Sequence, residues 1–213
     1  MKQKRIAKIE RITSETKIKL ELNIDGSGKA DVKTGIGFLD HMLDLWAFHG
    51  LFNLKLTCKG DLEIDAHHTT EDIAIALGSA LAEAVGEKKG IVRYGFSYLP
   101  MDEALLRVAL DLSGRPEFVF SGEFVQESIG SLDTQMIRHF FKSLAMSSRM
   151  TLHMSILYGI NDHHKCEGLF KALGRALSKA VEIDPRRAGV TSTKGTVSYT
   201  HLRAHETSLH LVC

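Results

Sequence analysis

The chain has 213 residues, enough for one domain or two small ones, and its 44% hydrophobic and 25% charged residues are ordinary globular composition. A formal charge of +1 offers no broad field to nucleic acid or an anionic membrane, and no apolar run approaches the roughly 18 to 20 residues that span a bilayer. Three cysteines without CxxC spacing make no disulfide framework, and the basic start is not followed by a signal-peptide core, so the cytoplasm is the expected compartment.

From Glu15 the sequence alternates: Ile18, Leu20, Leu22 and Ile24 face one way, Lys17, Lys19, Glu21 and Asn23 the other, which predicts a half-buried strand. Asp25-Gly26-Ser27-Gly28 then turns the chain toward Ala30 and Val32, predicting a hairpin. Phe38, Met42, Leu45 and His49 recur at helical spacing up to a stop at Gly50, leaving His41 off that stripe. Leu54, Leu56 and Cys58 alternate again, Lys59-Gly60-Asp61 reads as a turn, and Leu62 and Ile64 resume the strand to Asp65. Thr69 and Asp72 resemble a capping box for a helix whose apolar face is Ile73, Leu77, Ala80, Leu81 and Ala84 and which ends near Gly86.

The second half repeats this plan. Leu106, Val108 and Leu110 lead through the turn Ser113-Gly114-Arg115-Pro116 to a return strand at 117–120. Residues 121–132 read as a loop or short edge strand, and Asp133 as the N-cap of a helix carrying His139. Leu152, Met154 and Ile156 form a strand, and Asn161-Asp162 precede the next helix. The expected fold is α+β: two tandem pseudo-repeats, 1–92 and 93–196, each a small sheet of about four strands with two helices on one face, the helices packed together between the sheets. Residues 197–213 form an unassigned tail.

The repeat is visible residue by residue. HHTTEDIAIALGSALAEAV from His67 and HHKCEGLFKALGRALSKAV from His163 agree at 10 of 19 positions in a register of 96 residues, including both histidines and the glutamate. His41 and His139 recur at nearly the same spacing, each upstream of a His-His pair. At the head of a helix, His67 and Glu71 (i, i+4) and His68 and Glu71 (i, i+3) share a face, but adjacent histidines diverge. Each pair therefore divides its ligands between two ions, so that two halves, or two subunits, complete each site. The candidate ligands are His41, His67, His68, Glu71, His139, His163, His164 and Glu167, about four per ion. Imidazole and carboxylate without thiolate suit Mn, Fe, Co, Ni or Zn, with about two positions left for substrate or water.

Several runs resemble imidazoleglycerol-phosphate dehydratase of histidine biosynthesis: GIGFLDHML (35–43), DAHHTTED (65–72), MDEAL (101–105), DLSGRP (111–116), HFF (139–141) and NDHHKCE (161–167), extended by DPRR (184–187) and STKG (192–195). Gly37 stands where that family usually has proline. The resemblance implies a hydro-lyase that converts imidazole glycerol phosphate to imidazole acetol phosphate and water, with Mn²⁺ or another divalent first-row metal, two per subunit, on the eight residues just named. It also implies a homo-oligomer of 24 subunits with sites between subunits. By resemblance Arg93, Arg115, Ser192 and Lys194 take the substrate phosphate, Arg115 held in its Gly-Arg-Pro turn.

The hydrogen removed in that reaction sits on a carbon with no neighbouring carbonyl. If metal holds the imidazole as imidazolate, the ring expels the adjacent hydroxyl, a diazafulvene-like intermediate forms, and the next proton becomes acidic enough for a carboxylate, help typically worth roughly 100- to 10,000-fold. Glu167 is the first candidate for that acid/base role; Glu71 and Glu15 follow, Glu15 also being placed to touch substrate. Two other classes compete: a metal-storage assembly, which has no need of Arg93, Arg115 and Lys194, and a two-metal phosphohydrolase, which would be richer in aspartate. In the tail, His205-Glu206 and His210 miss the zinc-protease spacing, being i, i+5 rather than i, i+4.

Overall fold

The computed structural model describes residues 5–187 and 189; Ser192, Lys194 and the 197–213 tail lie outside them. The first half runs β1 (Ile6–Ile12), β2 (Thr16–Asn23), β3 (Ala30–Lys33), α1 (Gly37–Gly50), β4 (Asn53–Gly60) and α2 (His67–Val85). The second runs β5 (Tyr94–Met101), β6 (Ala104–Asp111), β7 (Glu117–Ser121), the short β8 (Ser128–Ile129) and β9 (Leu132–Asp133), α3 (Thr134–Ser148), β10 (Thr151–Tyr158) and α4 (Asp162–Val181).

The two large sheets have one topology, β1-β2-β4-β3 and β5-β6-β10-β7. In each, the last strand of the half enters the middle, antiparallel to β2 or β6 and parallel to β3 or β7. The expected hairpins are therefore corrected: β3 does not pair with β2, nor β7 with β6. The physical cause in the first half is Asn53, whose Oδ1 accepts hydrogen bonds from Ser27 N (2.9 Å) and Lys29 N (3.1 Å) and carries the connection past the end of β4 to its far side. Alternation identifies a strand but not its neighbour.

Both β1 and β5 escape a search for apolar alternation. On β5 the large side chains Tyr94, Phe96 and Tyr98 face outward, while Gly95 and Ser97 face the core. A Cβ on Gly95 would overlap the carbonyl of Ala176, so α4 lies directly against that strand. Leu62 and Ile64 are exposed and lie in a turn closed by Ile64 N donating to Asp61 O (2.9 Å), not in a continued strand. The buried face of α1 is Leu39, Met42, Leu43, Trp46 and Ala47, rotated from the expected stripe, and Leu51 rather than Gly50 takes the left-handed cap. Helix α2 begins before the expected capping box: Asp65 Oδ1 accepts from His67 N, Thr69 is buried within the helix, and Asp72 turns toward β1 and β2. Asp133 and Asn161 do cap α3 and α4, accepting from Gln135 N and His163 N.

All four helices lie between the sheets, α2 against β1 and β2, α4 against β5 and β6. They pair across the halves, α1 with α4 and α2 with α3. The repeated Gly78 and Gly174 sit at these contacts: a Cβ on Gly174 would stand 2.5 Å from Trp46 O, and one on Gly78 2.8 Å from Leu144 O. Among the described residues no helix is long and apolar enough to cross a membrane.

Candidate metal centre

Pairing across the halves decides which histidines meet. Each helix that begins with a His-His pair lies beside the lone-histidine helix of the other half, so α1 brings His41 to His163 and Glu167, and α3 brings His139 to His67 and Glu71. Within each trio the ligand atoms lie within 4.8 Å of one another. In the first, Glu167 Oε2 is 3.1 Å from His163 Nε2 and 3.7 Å from His41 Nε2. In the second, Glu71 is 3.6 Å from His67 Nε2 and 3.3 Å from His139 Nε2.

The other histidine of each pair points elsewhere. Neighbouring rings are nearly perpendicular, 74° for His67 and His68 and 86° for His163 and His164. His68 Nδ1 lies 2.9 Å from Asp61, and His164 Nδ1 lies 2.7 Å from Glu103. These hydrogen bonds raise both histidines above the usual imidazole range. The bond from His164, with the backbone N–H groups of Asn161 and Ile160, holds Glu103 down at about 2.

Two imidazoles and a carboxylate converging from two helices form a donor set for a divalent first-row cation. One atom makes the fit specific: His139 Nε2 is buried without a hydrogen-bond partner among the described residues, although Glu71 is close by. Unpaired buried nitrogens are costly, and a cation between the two groups would satisfy both. Glu167 is buried against the Lys171 ammonium. Burial would raise its carboxyl, but Lys171 and His163 outweigh that and hold it below the ordinary value.

Beside the second trio, a cavity of about 470 Å³ is bounded by Asp65, Ala66 and His67 from one half and by Ser131, Gln135 and Met136 from the other. Its volume suits a small ligand. Glu15 is exposed in the turn between β1 and β2, accepts a hydrogen bond from Ser14 Oγ (2.9 Å), and acts electrostatically on His68.

The arginines lie far from the first trio. Arg93 N donates to Ala180 O near the C-terminal end of α4, while His163 is at its N-terminal end, a separation of about 25 Å at 1.5 Å per residue. Arg93 grips Asp111 through Nε (2.6 Å) and a terminal nitrogen (2.9 Å). Leu112 N donates to Arg93 O and Arg115 N to Ser113 Oγ, which brings the Arg115 turn to the same end. Burial and Arg149, with Arg93, lower Lys88 there against the opposing pull of Asp111.

Sequence reasoning missed Lys171, Asp61 and Glu103. Lys171 was legible as the i+4 partner of Glu167 on one helical face. Asp61 and Glu103 lie 7 and 61 residues from their histidines, spacings that no local rule reads.

Residues 34–177 match the family model described as imidazoleglycerol-phosphate dehydratase. A relative of that name from Clostridium botulinum is 55% identical over 192 residues, covering 90% of this chain and 98% of the relative. One from a Geobacillus species is 57% identical over 191 residues, with the same coverage. The crystal structure of imidazoleglycerol-phosphate dehydratase from Staphylococcus aureus matches with a TM-score of 0.77 at 38% identity, covering 84% of this chain and 99% of that one. The IGPD structure from Pyrococcus furiosus gives 0.76 at 36% identity, with 89% and 100% covered. On sequence and architecture together, the chain belongs to the imidazoleglycerol-phosphate dehydratase family.

Proposed function

We propose that this chain is a cytoplasmic hydro-lyase of histidine biosynthesis that removes water from imidazole glycerol phosphate to give imidazole acetol phosphate, built from half-repeats 1–92 and 93–196. The observation that carries this reading is the pair of two-histidine, one-glutamate trios, each assembled across the two halves, in a chain of this family. Divalent cations, Mn²⁺ first among them and two per subunit, would hold the substrate's imidazole as imidazolate and so supply the electron push that its C–H bond lacks.

His41, His163 and Glu167 would hold one ion, and His67, Glu71 and His139 the other. His68 and His164, turned away from both trios, would supply a further ligand to the sites of neighbouring copies, giving about four protein ligands for each ion. The asymmetry among the three candidate carboxylates sorts their roles. Glu167 and Glu71 stand among histidines, and Glu167 also takes Lys171. The Glu15 carboxylate is exposed, accepts from Ser14 Oγ and acts electrostatically on His68, so the proton transfer is assigned to it in place of Glu167, the first candidate on sequence. As the hydroxyl beside the ring departs with a proton, a diazafulvene-like intermediate forms. Glu15 then takes the neighbouring C–H proton, and the resulting enol becomes the ketone by protonation of the carbon next to the ring.

Arg93 and Arg115, with Ser192 and Lys194, receive the phosphate, the arginines by forked hydrogen bonds. The distance of Arg93 from the trio at the head of α4 supports a reading in which phosphate groups from one copy meet metal ligands of another, in a homo-oligomer for which the family resemblance implies 24 subunits. Incubation of the purified, Mn²⁺-loaded protein with imidazole glycerol phosphate in D₂O tests the reading. The expected product has lost one water and carries deuterium on the carbon next to the ring. Unchanged substrate would favour a storage protein, and release of inorganic phosphate a phosphohydrolase; either contradicts the proposal.

A further inference from the structure

The two halves hold their first hairpin turns in different ways. In each half an acidic residue immediately precedes the second strand: Glu15 before β2 and Glu103 before β6. Glu103 is tied down, accepting from His164 Nδ1 (2.7 Å), Asn161 N (2.7 Å) and Ile160 N (3.0 Å). Its counterpart Glu15 makes none of these bonds, because Asp61 occupies His68 Nδ1 instead.

What anchors the first turn is Asp72. Where the 96-residue register puts Gly168 in the second half, the first half has an aspartate, 7% exposed, on the opening turns of α2. Its Oδ1 accepts from Arg11 Nε (2.9 Å) and a terminal Arg11 nitrogen (2.7 Å). Its Oδ2 accepts from Thr16 Oγ1 (2.5 Å) and Thr13 Oγ1 (3.2 Å). Thr13 Oγ1 in turn accepts from Thr16 N (2.9 Å) and Glu15 N (3.3 Å), closing the 13–16 turn on itself. Residues on both sides of Glu15 are thus bolted to one buried carboxylate, and that carboxylate sits next to Glu71 on the helix that carries the His67 trio.

We propose that Asp72 is a positioning residue, which fixes the Glu15 turn against the first turns of α2 and so sets where the Glu15 carboxylate stands in the reaction. This rests on the assignment of Glu15 as the proton-transferring group. A group that must meet a C–H bond works only within a few tenths of an ångström of its proper place, and a carboxylate on an exposed turn has no packing of its own to hold it there. Among the described residues the second half keeps no such clamp, since Glu103 is itself the structural bond.

The test is a double-mutant cycle on the Mn²⁺-loaded oligomer with Asp72→Asn and Glu15→Gln. Glu15→Gln is expected to lower kcat about 100- to 10,000-fold. Asp72→Asn should lower kcat about 10- to 100-fold with KM and bound Mn²⁺ unchanged, which a general loss of structure would not do. In the double variant kcat should be no lower than in Glu15→Gln, because a displaced turn no longer matters once its carboxylate is gone. Multiplying losses, or wild-type kcat in Asp72→Asn beside an impaired Glu15→Gln, overturns the role of Asp72 alone. Wild-type kcat in Glu15→Gln overturns the assignment of Glu15, and the proposal with it. Should Asp72→Asn fail to fold, Thr16→Val removes a single hydroxyl from the clamp, and the same cycle with Glu15→Gln decides.

Discussion

His139 Nε2 is buried 3.3 Å from Glu71 Oε1 and makes no hydrogen bond among the described residues, a vacancy of pairing that costs about 1–3 kcal/mol if nothing bridges the two groups. His139→Ala should therefore halve the Mn²⁺ bound per chain and leave the fold intact, whereas His68→Ala, which on the proposed reading removes a ligand offered to a neighbour, should abolish turnover and disturb assembly together. Metal analysis beside light scattering reads both, and a His68→Ala protein with full turnover on half the metal contradicts the division of each pair between ions. At this scale the spacing of His67 to Glu71, and of His163 to Glu167, was legible because helical geometry fixes it. Which lone histidine joins which pair was not, since that depends on helices choosing partners across the halves, with His41 and His163 122 residues apart and His67 and His139 72 apart.

Two repeated glycines govern that choice of partners at the level of elements. An alanine in the middle of a helix ordinarily gains about 0.5–1 kcal/mol over glycine. At Gly174 the added carbon would stand 2.5 Å from Trp46 O, a backbone atom that cannot swing aside. Forcing α1 away from α4 costs about 1–3 kcal/mol, so Gly174→Ala should lower the melting temperature by several degrees and weaken Mn²⁺ binding at His41, His163 and Glu167. An unchanged or raised melting temperature with full metal would show that the two helices do not depend on this close approach. The helices and central strands were legible because their buried residues follow periods of 3.6 and 2. Strand β5 was not, because it turns Gly95 and Ser97 inward to admit α4 and leaves Tyr94, Phe96 and Tyr98 outside. Pairing of β3 with β4 and of β7 with β10 was equally hidden, since it is set by long-range connections such as the Asn53 bridge.

In the molecule as a whole, α4 acts as a spacer, with candidate metal ligands at one end and Arg93 hydrogen-bonded to the other, about 25 Å away. A substrate of a few ångströms cannot touch both ends of one chain, so the proposed chemistry needs a second copy. The family motifs made both sets of residues legible in the sequence, but their separation became visible only when the helix between them was placed. Co-assembly of two inactive variants, His163→Ala and Arg115→Ala, measures this directly. Each alone is expected to be inactive, and mixed oligomers to recover part of the wild-type kcat, at sites that take intact metal ligands from one subunit and an intact arginine from another. Mixed oligomers that form and remain inactive would contradict such shared sites.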